Sequence, residues 1–115
     1  MKNLDIFQIK AQLNKGKSIE QCLGTANSGE HEILKWIEIR PGKYSFTLVY
    51  HEVYNDSDQG IESVYNFSYV LPDDLYGKNI TESKSVEEIL NKAQSIFGNS
   101  NFYNEGFLDE IINEI

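Results

Sequence analysis

The hydrophobic pattern changes its period near residue 31, and this change limits the folds that the chain can adopt. In the first 23 residues apolar side chains recur at helical spacing, whereas from His31 to Leu71 they alternate with polar ones. The alternating part is rich in Ile, Val, Thr, Tyr and Phe and forms three runs bounded by turn residues, at about 32–39, 44–54 and 61–71. These runs predict a three-stranded antiparallel meander.

The turns between the runs indicate how the strands pair. Pro41-Gly42 suits the centre of a type II turn, and the polar segment NDSDQG separates the second run from the third. Pairing residue 39 with 44, and residue 54 with 61, places the apolar side chains of all three strands on one face. The opposite face is mixed, so we expect it to be covered only in part.

Helices are predicted before this meander. The helical spacing of Leu4, Phe7 and Ala11, and of Ile6, Ile9 and Leu13, predicts a first helix. Ser18 with Gln21 three residues later resembles a capping box, which predicts that a short second helix begins there. The sequence thus indicates two N-terminal helices.

Two further helices are predicted near the C-terminus, at about 85–97 and 105–114. Ser85 followed by Glu88 is typical of a helix start, and a single apolar stripe continues from it. We therefore expect residues 1–115 to form one α+β domain, with N-terminal helices, the meander and C-terminal helices in that order.

Composition adds an expectation about where the protein acts. The chain has 115 residues, 40% of them hydrophobic, and no apolar run approaches the roughly 20 residues that span a bilayer. The first residues, MKNLD, lack the features of a secretory signal. Cys22 is the one cysteine and cannot form an internal disulfide, which fits a reducing compartment. We expect a cytoplasmic protein.

The net charge of −8 is distributed unevenly along the chain. Residues 1–43 carry seven bases and five acids, whereas residues 44–115 carry three bases and thirteen acids, a net of −10 for that part. From Tyr44 to Gly77 there are six acids and no Lys or Arg. Such an excess repels nucleic acid phosphates and speeds association with basic partners. Solubility alone is the simpler explanation.

Few residues are placed to bind a metal or a cofactor. The spacing of Asp56, Asp58 and Gly60 resembles the start of a calcium loop, but the glycine falls at position 5 rather than 6, and Phe67 occupies position 12. One cysteine and two histidines offer no paired metal-ligand spacing, and no glycine-rich phosphate motif is present. We therefore expect neither a metal nor a cofactor.

One cluster remains as a candidate catalytic site. We expect Glu32 opposite His51 across the sheet, with Glu62 nearby, and a histidine beside two carboxylates can act as a general base. No activated nucleophile accompanies the cluster, and a half-buried histidine bonded to a carboxylate explains the same pattern. We therefore assign no catalytic residue and keep a small enzyme based on His51, Glu32 and Glu62 as an alternative.

An acidic surface is the stronger candidate for function. Acids and one tyrosine cluster near the second hairpin turn, and two more acids follow the third run. Because eleven strand residues span roughly 35 Å, we expect two separate acidic patches. Tyrosine beside acids can anchor a partner rich in Lys and Arg. The predicted partner-binding residues are Glu52, Tyr54, Asp56, Asp58, Glu62, Asp73 and Asp74.

The segment WIEIRPGKYSFTLVYHEVYNDSDQGIESVYNFSY, residues 36–69, resembles bacterial immunity proteins of polymorphic and contact-dependent growth-inhibition toxin systems. FYNEGFLDE near the C-terminus adds to the likeness, which lies in size, acidity and the spacing of Trp36, Gly42, Tyr44 and His51. The resemblance transfers no functional residue. It implies a non-enzymatic inhibitor that binds one cognate toxin domain, often a cationic nuclease, and blocks its active site or a nearby surface.

The charge pattern and the resemblance favour an acidic cytoplasmic protein that binds and neutralises a basic protein, such as a bacterial toxin C-terminal domain. Neither nucleic acid nor a membrane is an expected partner. A self-associating adaptor stays open as a further alternative. The predicted meander leaves two free edges, 32–39 and 61–71, through which a homodimer could pair.

Overall fold

Five antiparallel strands in the order β4-β3-β2-β1-β5 form the centre of the computed structural model, which describes residues 2–112. The chain is α+β, but its sheet has five strands and not the three that the sequence predicted. In chain order the elements are α1 (Ile6–Asn14), β1 (Ile19–Ser28), β2 (His31–Pro41), β3 (Phe46–Tyr54), β4 (Lys78–Ser83), α2 (Val86–Phe97), β5 (Tyr103–Asn104) and α3 (Leu108–Ile111).

The predicted second N-terminal helix is wrong, because its residues form β1. Ser18 does resemble a helix cap, yet Ile19 packs into the core on one face of the sheet and Cys22 packs on the other. Pairing with β2 along almost the whole strand outweighs the local preference for a helix. Gly29, at φ 64°, begins the two-residue turn between β1 and β2, a position that favours glycine.

The third predicted strand, 61–71, is wrong as well. β3 pairs instead with β4. Within the described residues, the β-pairing of segment 61–71 is limited to the isolated bridge between Val53 and Tyr69. The segment contains a 3-10 turn at Val64–Asn66 and crosses one face of the sheet, with Phe67 buried. We call it the covering segment. The edge strands of the sheet are β4 and β5, so neither of the two predicted free edges, 32–39 and 61–71, is an edge strand.

The pairing of β2 with β3 differs from the predicted register by four residues. Ile39 pairs with Leu48 rather than with residue 44. In the loop between the strands, Gly42 N donates to Ser45 O at 2.7 Å. Since side chains alternate between the two faces, a shift by an even number keeps each one on its predicted face. The apolar face of β2 and β3 is therefore the predicted one, although the pairing is not, and Phe67 and Tyr69 of the third run pack on the opposite face.

The two faces of the sheet are covered in different ways. On the first face α1 and α2 pack over a buried core of Ile9, Leu13, Ile19, Ile37, Ile39, Leu48, Val86, Ile89, Ala93 and Phe102. On the second face the covering segment and the chain around α3 pack over Leu34, Trp36, Val53, Val64, Phe67, Phe107 and Leu108. Irregular chain thus covers the mixed face.

The C-terminal helices agree with the sequence in part. α2 forms within the predicted 85–97, where the Ser85 side chain accepts a hydrogen bond from Glu88 N at 3.1 Å. α3 begins at Leu108, later than in the predicted helix 105–114, because Tyr103–Asn104 pair with β1. The last predicted positions, 113 and 114, lie outside the described residues. Nowhere between residues 2 and 112 is a helix long and apolar enough to cross a membrane.

Candidate functional site

The loop after β3 and the turn between β1 and β2 enclose an acidic groove with a volume of about 670 Å³. It is lined by the carboxylates of Glu30, Glu32, Asp56 and Asp58, and no Lys or Arg is among its described lining residues. Asp56 and Asp58 belong to the predicted binding residues, and the structure brings them beside Glu30 and Glu32. The sequence reasoning missed Glu30, because it placed a helix where β1 forms and so overlooked the turn, and it assigned Glu32 to the cluster with His51 instead of to this groove.

Hydrogen bonds connect two of the groove acids, Glu32 and Asp56, to neighbouring segments of the chain. Asn55 donates from its backbone N to Glu32 O and from Nδ2 to Glu32 Oε1, both at 2.9 Å. Asp56 Oδ2 accepts from Ser68 N at 2.7 Å. Among residues 2–112, no hydrogen bond or ion pair involves the other two carboxylates of the groove. Two of the four acids therefore shape the groove, and two are available to a partner.

Three other predicted binding residues are dispersed around this end of β3. Tyr54 is half-buried and packs edge-on against the ring of His31, with centroids 5.3 Å apart. Glu52 accepts a hydrogen bond from Tyr50 Oη at 3.2 Å. Glu62 is exposed at the start of the covering segment. None of these three lines the acidic groove.

Asp73 and Asp74 do not lie at a far end of the sheet, where a third strand would have placed them. The covering segment returns to β3, so that Val70 N donates to Glu52 O at 3.1 Å, and the chain then turns. Asp74 and Glu52 consequently line one small pocket of about 230 Å³. The predicted division into two patches is thus corrected, because Glu52 belongs with Asp74 rather than with the groove.

The predicted cluster of His51 with Glu32 and Glu62 does not form. His51 pairs with Trp36 across the sheet, and Glu32 lies four residues away along β2, roughly 13 Å. Its carboxylate neighbour is instead Glu38, which the observed register places diagonally across from it. The correct register would have identified this pair from the sequence.

Glu38 lies at the centre of a polar network. His51 Nε2 donates to Oε1 at 2.8 Å, Arg40 donates to both carboxylate oxygens, and Ser18 Oγ donates to Oε2 at 2.6 Å. Burial opposes ionisation, but these donors outweigh it and lower the pKa of Glu38 to about 2. With Nε2 as a donor, His51 Nδ1 accepts from Tyr69 Oη at 2.8 Å. Both ring nitrogens are occupied and the residue is 5% exposed, so His51 is badly placed to act as a general base.

Glu20 pairs directly with Glu38 across β1 and β2, yet its environment shifts the carboxyl pKa in the opposite direction. Its Oε1 accepts from Tyr65 Oη at 2.7 Å and from Gly106 N at 2.8 Å. Burial raises the pKa of Glu20 to about 7 in spite of these two hydrogen bonds, and the charges of Glu38 and Glu105 contribute to the rise. The sequence reasoning missed Glu20 because it assigned this residue to a helix.

These side chains line a second cavity, which we call the polar cleft. Its volume is about 270 Å³, and it lies between the sheet, the covering segment and the turn before α3. Trp36 forms part of its wall and stacks on His51, with centroids 4.6 Å apart. Gly77, at φ 97°, lies very close to the same histidine. A Cβ added at this position would be only 2.7 Å from His51 Cε1. Of the residues between 2 and 112, none lines both the polar cleft and the acidic groove.

No protein-family model matches the chain, and no curated protein or solved structure matches it significantly. What the two cavities can do therefore follows from their own chemistry. In the part of the chain that the structure describes, no three His, Cys, Asp or Glu side chains are placed to hold a metal ion. Burial raises the pKa of the Cys22 thiol, which keeps it protonated and weakly nucleophilic at neutral pH. Carboxylates dominate both cavities, so both are suited to binding positive charge.

Proposed function

We propose that the chain is an acidic binding protein that neutralises a cognate basic protein, a bacterial toxin domain of the nuclease class, by occluding its active site or the surface beside it. The acidic groove carries the proposal, since its four carboxylates face an opening whose described lining residues include no Lys or Arg. The resemblance of residues 36–69 to immunity proteins favours the same class of partner. The single cysteine favours the cytoplasm as the place of action.

The charge of the groove suits such a partner for a physical reason. A nuclease must attract phosphate, so the surface around its active site is positive. An acidic inhibitor uses the same field, and electrostatic steering raises association rate constants to about 10⁸–10⁹ M⁻¹s⁻¹ at low salt. The same charge repels the nucleic acid itself. The groove therefore competes for the toxin without binding the toxin's substrate.

Affinity also requires apolar anchors, and the loop after the covering segment, which does not line the groove, offers two of them. Leu75 and Tyr76 are 60% and 80% exposed and directly follow Asp73 and Asp74. Tyr76 adopts φ 70°, a conformation that costs a non-glycine residue about 1–3 kcal/mol. Arg40 Nη2 donates to the Tyr76 carbonyl at 3.1 Å and helps to hold it. An exposed aromatic ring beside acids, on a restrained backbone, is typical of an interface hot spot.

The proposal is tested by reversing charge in the groove and at a matched place elsewhere. E30K/D58K changes the two groove carboxylates that make no hydrogen bond within residues 2–112, so the fold should be retained. E82K/E88K reverses two carboxylates in a pocket at the other end of β3, about 26 Å away, and because it also removes the Glu88–Lys92 ion pair, its melting temperature is measured as well. Each variant is co-expressed with the product of the neighbouring gene, which the proposal expects to be basic, and growth and complex formation are measured.

We expect the wild-type protein and E82K/E88K to protect growth and to co-purify with the basic protein. E30K/D58K should bind at least about tenfold more weakly while its melting temperature stays within a few degrees of wild type. Equal losses in both variants would show that net charge matters and the groove does not. A neighbouring gene product that is acidic, or that fails to bind the wild-type protein, would contradict the toxin-inhibitor proposal.

A further inference from the structure

We propose that the polar cleft is a binding site for an organic cation that carries several N–H donors, either a guanidinium or a primary ammonium group. The described residues that line the cleft are all different from those that line the acidic groove, so this site does not depend on the proposed function. The cation has two possible sources, a free small molecule or an Arg or Lys side chain of a protein. The chemistry that the cleft must recognise is the same in both cases.

Unused acceptors are the first reason for this proposal. Glu20 is 4% exposed, and both of its described hydrogen bonds, from Tyr65 and Gly106, go to Oε1. Within residues 2–112 its other oxygen, Oε2, accepts nothing. Glu105 likewise accepts through one oxygen, from Ser18 N at 3.2 Å. The cleft thus presents two carboxyl oxygens that accept nothing from the described part of the chain and that solvent or a ligand can reach, one on Glu20 and one on the exposed Glu105.

The absence of a nearby counter-charge is the second reason. Arg40 is the cation closest in the network, but it donates to Glu38 and to the Tyr76 carbonyl. Glu38 is saturated by its three donor residues, whereas Glu20 has only neutral donors. No Lys or Arg is among the described residues that line the cleft. A bound cation would therefore neutralise Glu20 in the way that Arg40 neutralises Glu38.

The aromatic wall is the third reason. Trp36 lies edge-on to Tyr65, with centroids 6.0 Å apart, and Tyr69 completes the wall. Trp36 is 1% exposed and stacks on His51, so the ring that a cation can contact is that of Tyr65, which is 36% exposed and whose quadrupole attracts positive charge. Burial raises the pKa of Tyr69 to about 12, so its hydroxyl stays neutral and does not compete as an anion. An anionic ligand is excluded, since it would face the carboxylates.

Proton release should accompany binding. Because the pKa of Glu20 is about 7 in the absence of a ligand, a cation must displace a proton below that pH and meets a carboxylate above it. Affinity for the cation should therefore increase as the pH rises from about 6 to 8. The titratable and charged groups that face Glu20 or its cleft are Glu38, Arg40, His51, Tyr65, Tyr69 and Glu105.

Trp36 is the one tryptophan of the chain, so its fluorescence reports on the cleft directly. The full-length protein is titrated with methylguanidinium, methylammonium and tetramethylammonium at constant ionic strength, at pH 6 and pH 8. E20Q keeps an acceptor for Tyr65 and Gly106 and loses only the charge, and E110Q removes an exposed acid outside the cleft as the matched control. Thermal melting verifies that both variants fold.

We expect a saturable fluorescence change with the first two cations and a weaker one with tetramethylammonium, which has no N–H donor. Binding should be tighter at pH 8 than at pH 6, unchanged in E110Q and weakened at least about tenfold in E20Q. No saturable change with any cation, or equal affinity in wild type and folded E20Q, would overturn the proposal.

A second pair of probes separates the two sources of the cation. If the tripeptide Gly-Arg-Gly binds as tightly as agmatine, the cleft accepts a protein side chain. If agmatine binds and the tripeptide does not, the cleft is reserved for a free small molecule. Either result supports the cation site, whereas binding of neither probe contradicts it.

Discussion

α1 and α2 cover the first face of the sheet with aliphatic side chains, whereas irregular chain covers the second face and brings polar groups with it. A helix satisfies its own backbone, so the first face needs no polar partner. The covering segment does not, and Asp109 accepts from Val64 N at 2.8 Å while Asp56 accepts from Ser68 N. Glu20 and His51, the buried ionisable side chains of the second face, therefore lie under irregular cover, whereas the buried polar side chains of the first face are the uncharged Gln21 and Ser83.

Two carboxyl groups on the second face also differ in the hydrogen-bond donors that surround them. Glu38 is surrounded by donors, including a guanidinium, and its pKa is lowered to about 2. Glu20 lies opposite it with neutral donors only, and its pKa is raised to about 7. Burial penalises both anions, so the supply of donors decides the direction. Glu38 belongs to the structure of the fold, whereas Glu20 remains open to a ligand.

The largest effect is expected on the first face. Leu48 is fully buried beneath the helices, so Leu48→Ala should lower the free energy of unfolding by about 3–4 kcal/mol through lost burial and the cavity left behind. Urea denaturation at pH 7 measures this change. A loss below about 1 kcal/mol would mean that the first face does not carry the stability we assign to it.

Replacing Glu38 should have the next largest effect and should depend on pH. Its folded pKa is lowered from 4.5 to about 2, so its stabilisation is present above pH 4.5 and disappears as the pH falls towards 2. Glu38→Gln should cost about 2–3 kcal/mol at pH 7 and much less near pH 3. Denaturation of both proteins across this range measures the difference, and a cost independent of pH would contradict the assigned network.

Replacing Glu20 should change stability in the opposite direction. Its folded pKa is raised from 4.5 to about 7, so the folded state loses stability as the pH rises between these values. Glu20→Gln removes this loss, and it should stabilise the protein by about 2 kcal/mol at pH 8 with little effect at pH 4. Thermal melts at the two pH values test the sign. Destabilisation at pH 8 would show that the Glu20 carboxylate already has a counter-charge.

The smallest effects compare one capping residue from each face. Ser85→Ala removes the side chain that caps α2 and should cost about 1 kcal/mol. Asp109→Ala removes an acceptor from Ser63 Oγ and Val64 N on the second face and should cost about 1–2 kcal/mol. Hydrogen exchange should show local loss of protection around Val64 only in the second variant. Exchange that increases throughout the chain in both variants would argue against separate cover of the two faces.

The first face could be predicted from the sequence to a large extent, because its signals are local. The alternation of Ile37, Ile39 and Leu48 and the start signal at Ser85 indicate β2, β3 and α2 without knowledge of the rest of the fold. An even register error kept these side chains on the correct face. Helical and strand periods, read over a few residues, are enough for such elements.

The second face could not be predicted, because its signals are not local. The segment KNITES forms β4 only because β3 offers it an edge, and that pairing excludes 61–71 from the sheet. Ser18 and Gln21 resemble a helix cap, and only the partner strand β2 decides that they belong to a β-strand region. The acids of the loop after β3 were evident from composition, but Glu30, Glu20 and Glu38 join the sites only through β1 and the correct register.

The most direct test of the central claim, that the acidic groove captures a basic protein, is the association rate constant measured by stopped flow. The product of the neighbouring gene, which the proposal expects to be basic, is mixed with wild type, E30K/D58K and E82K/E88K from low salt to about 0.5 M NaCl. We predict that the wild-type rate falls steeply with salt, that E82K/E88K stays close to it, and that E30K/D58K is about tenfold slower at low salt with all three converging at high salt. Equal rates for the two variants across the salt range would contradict the claim.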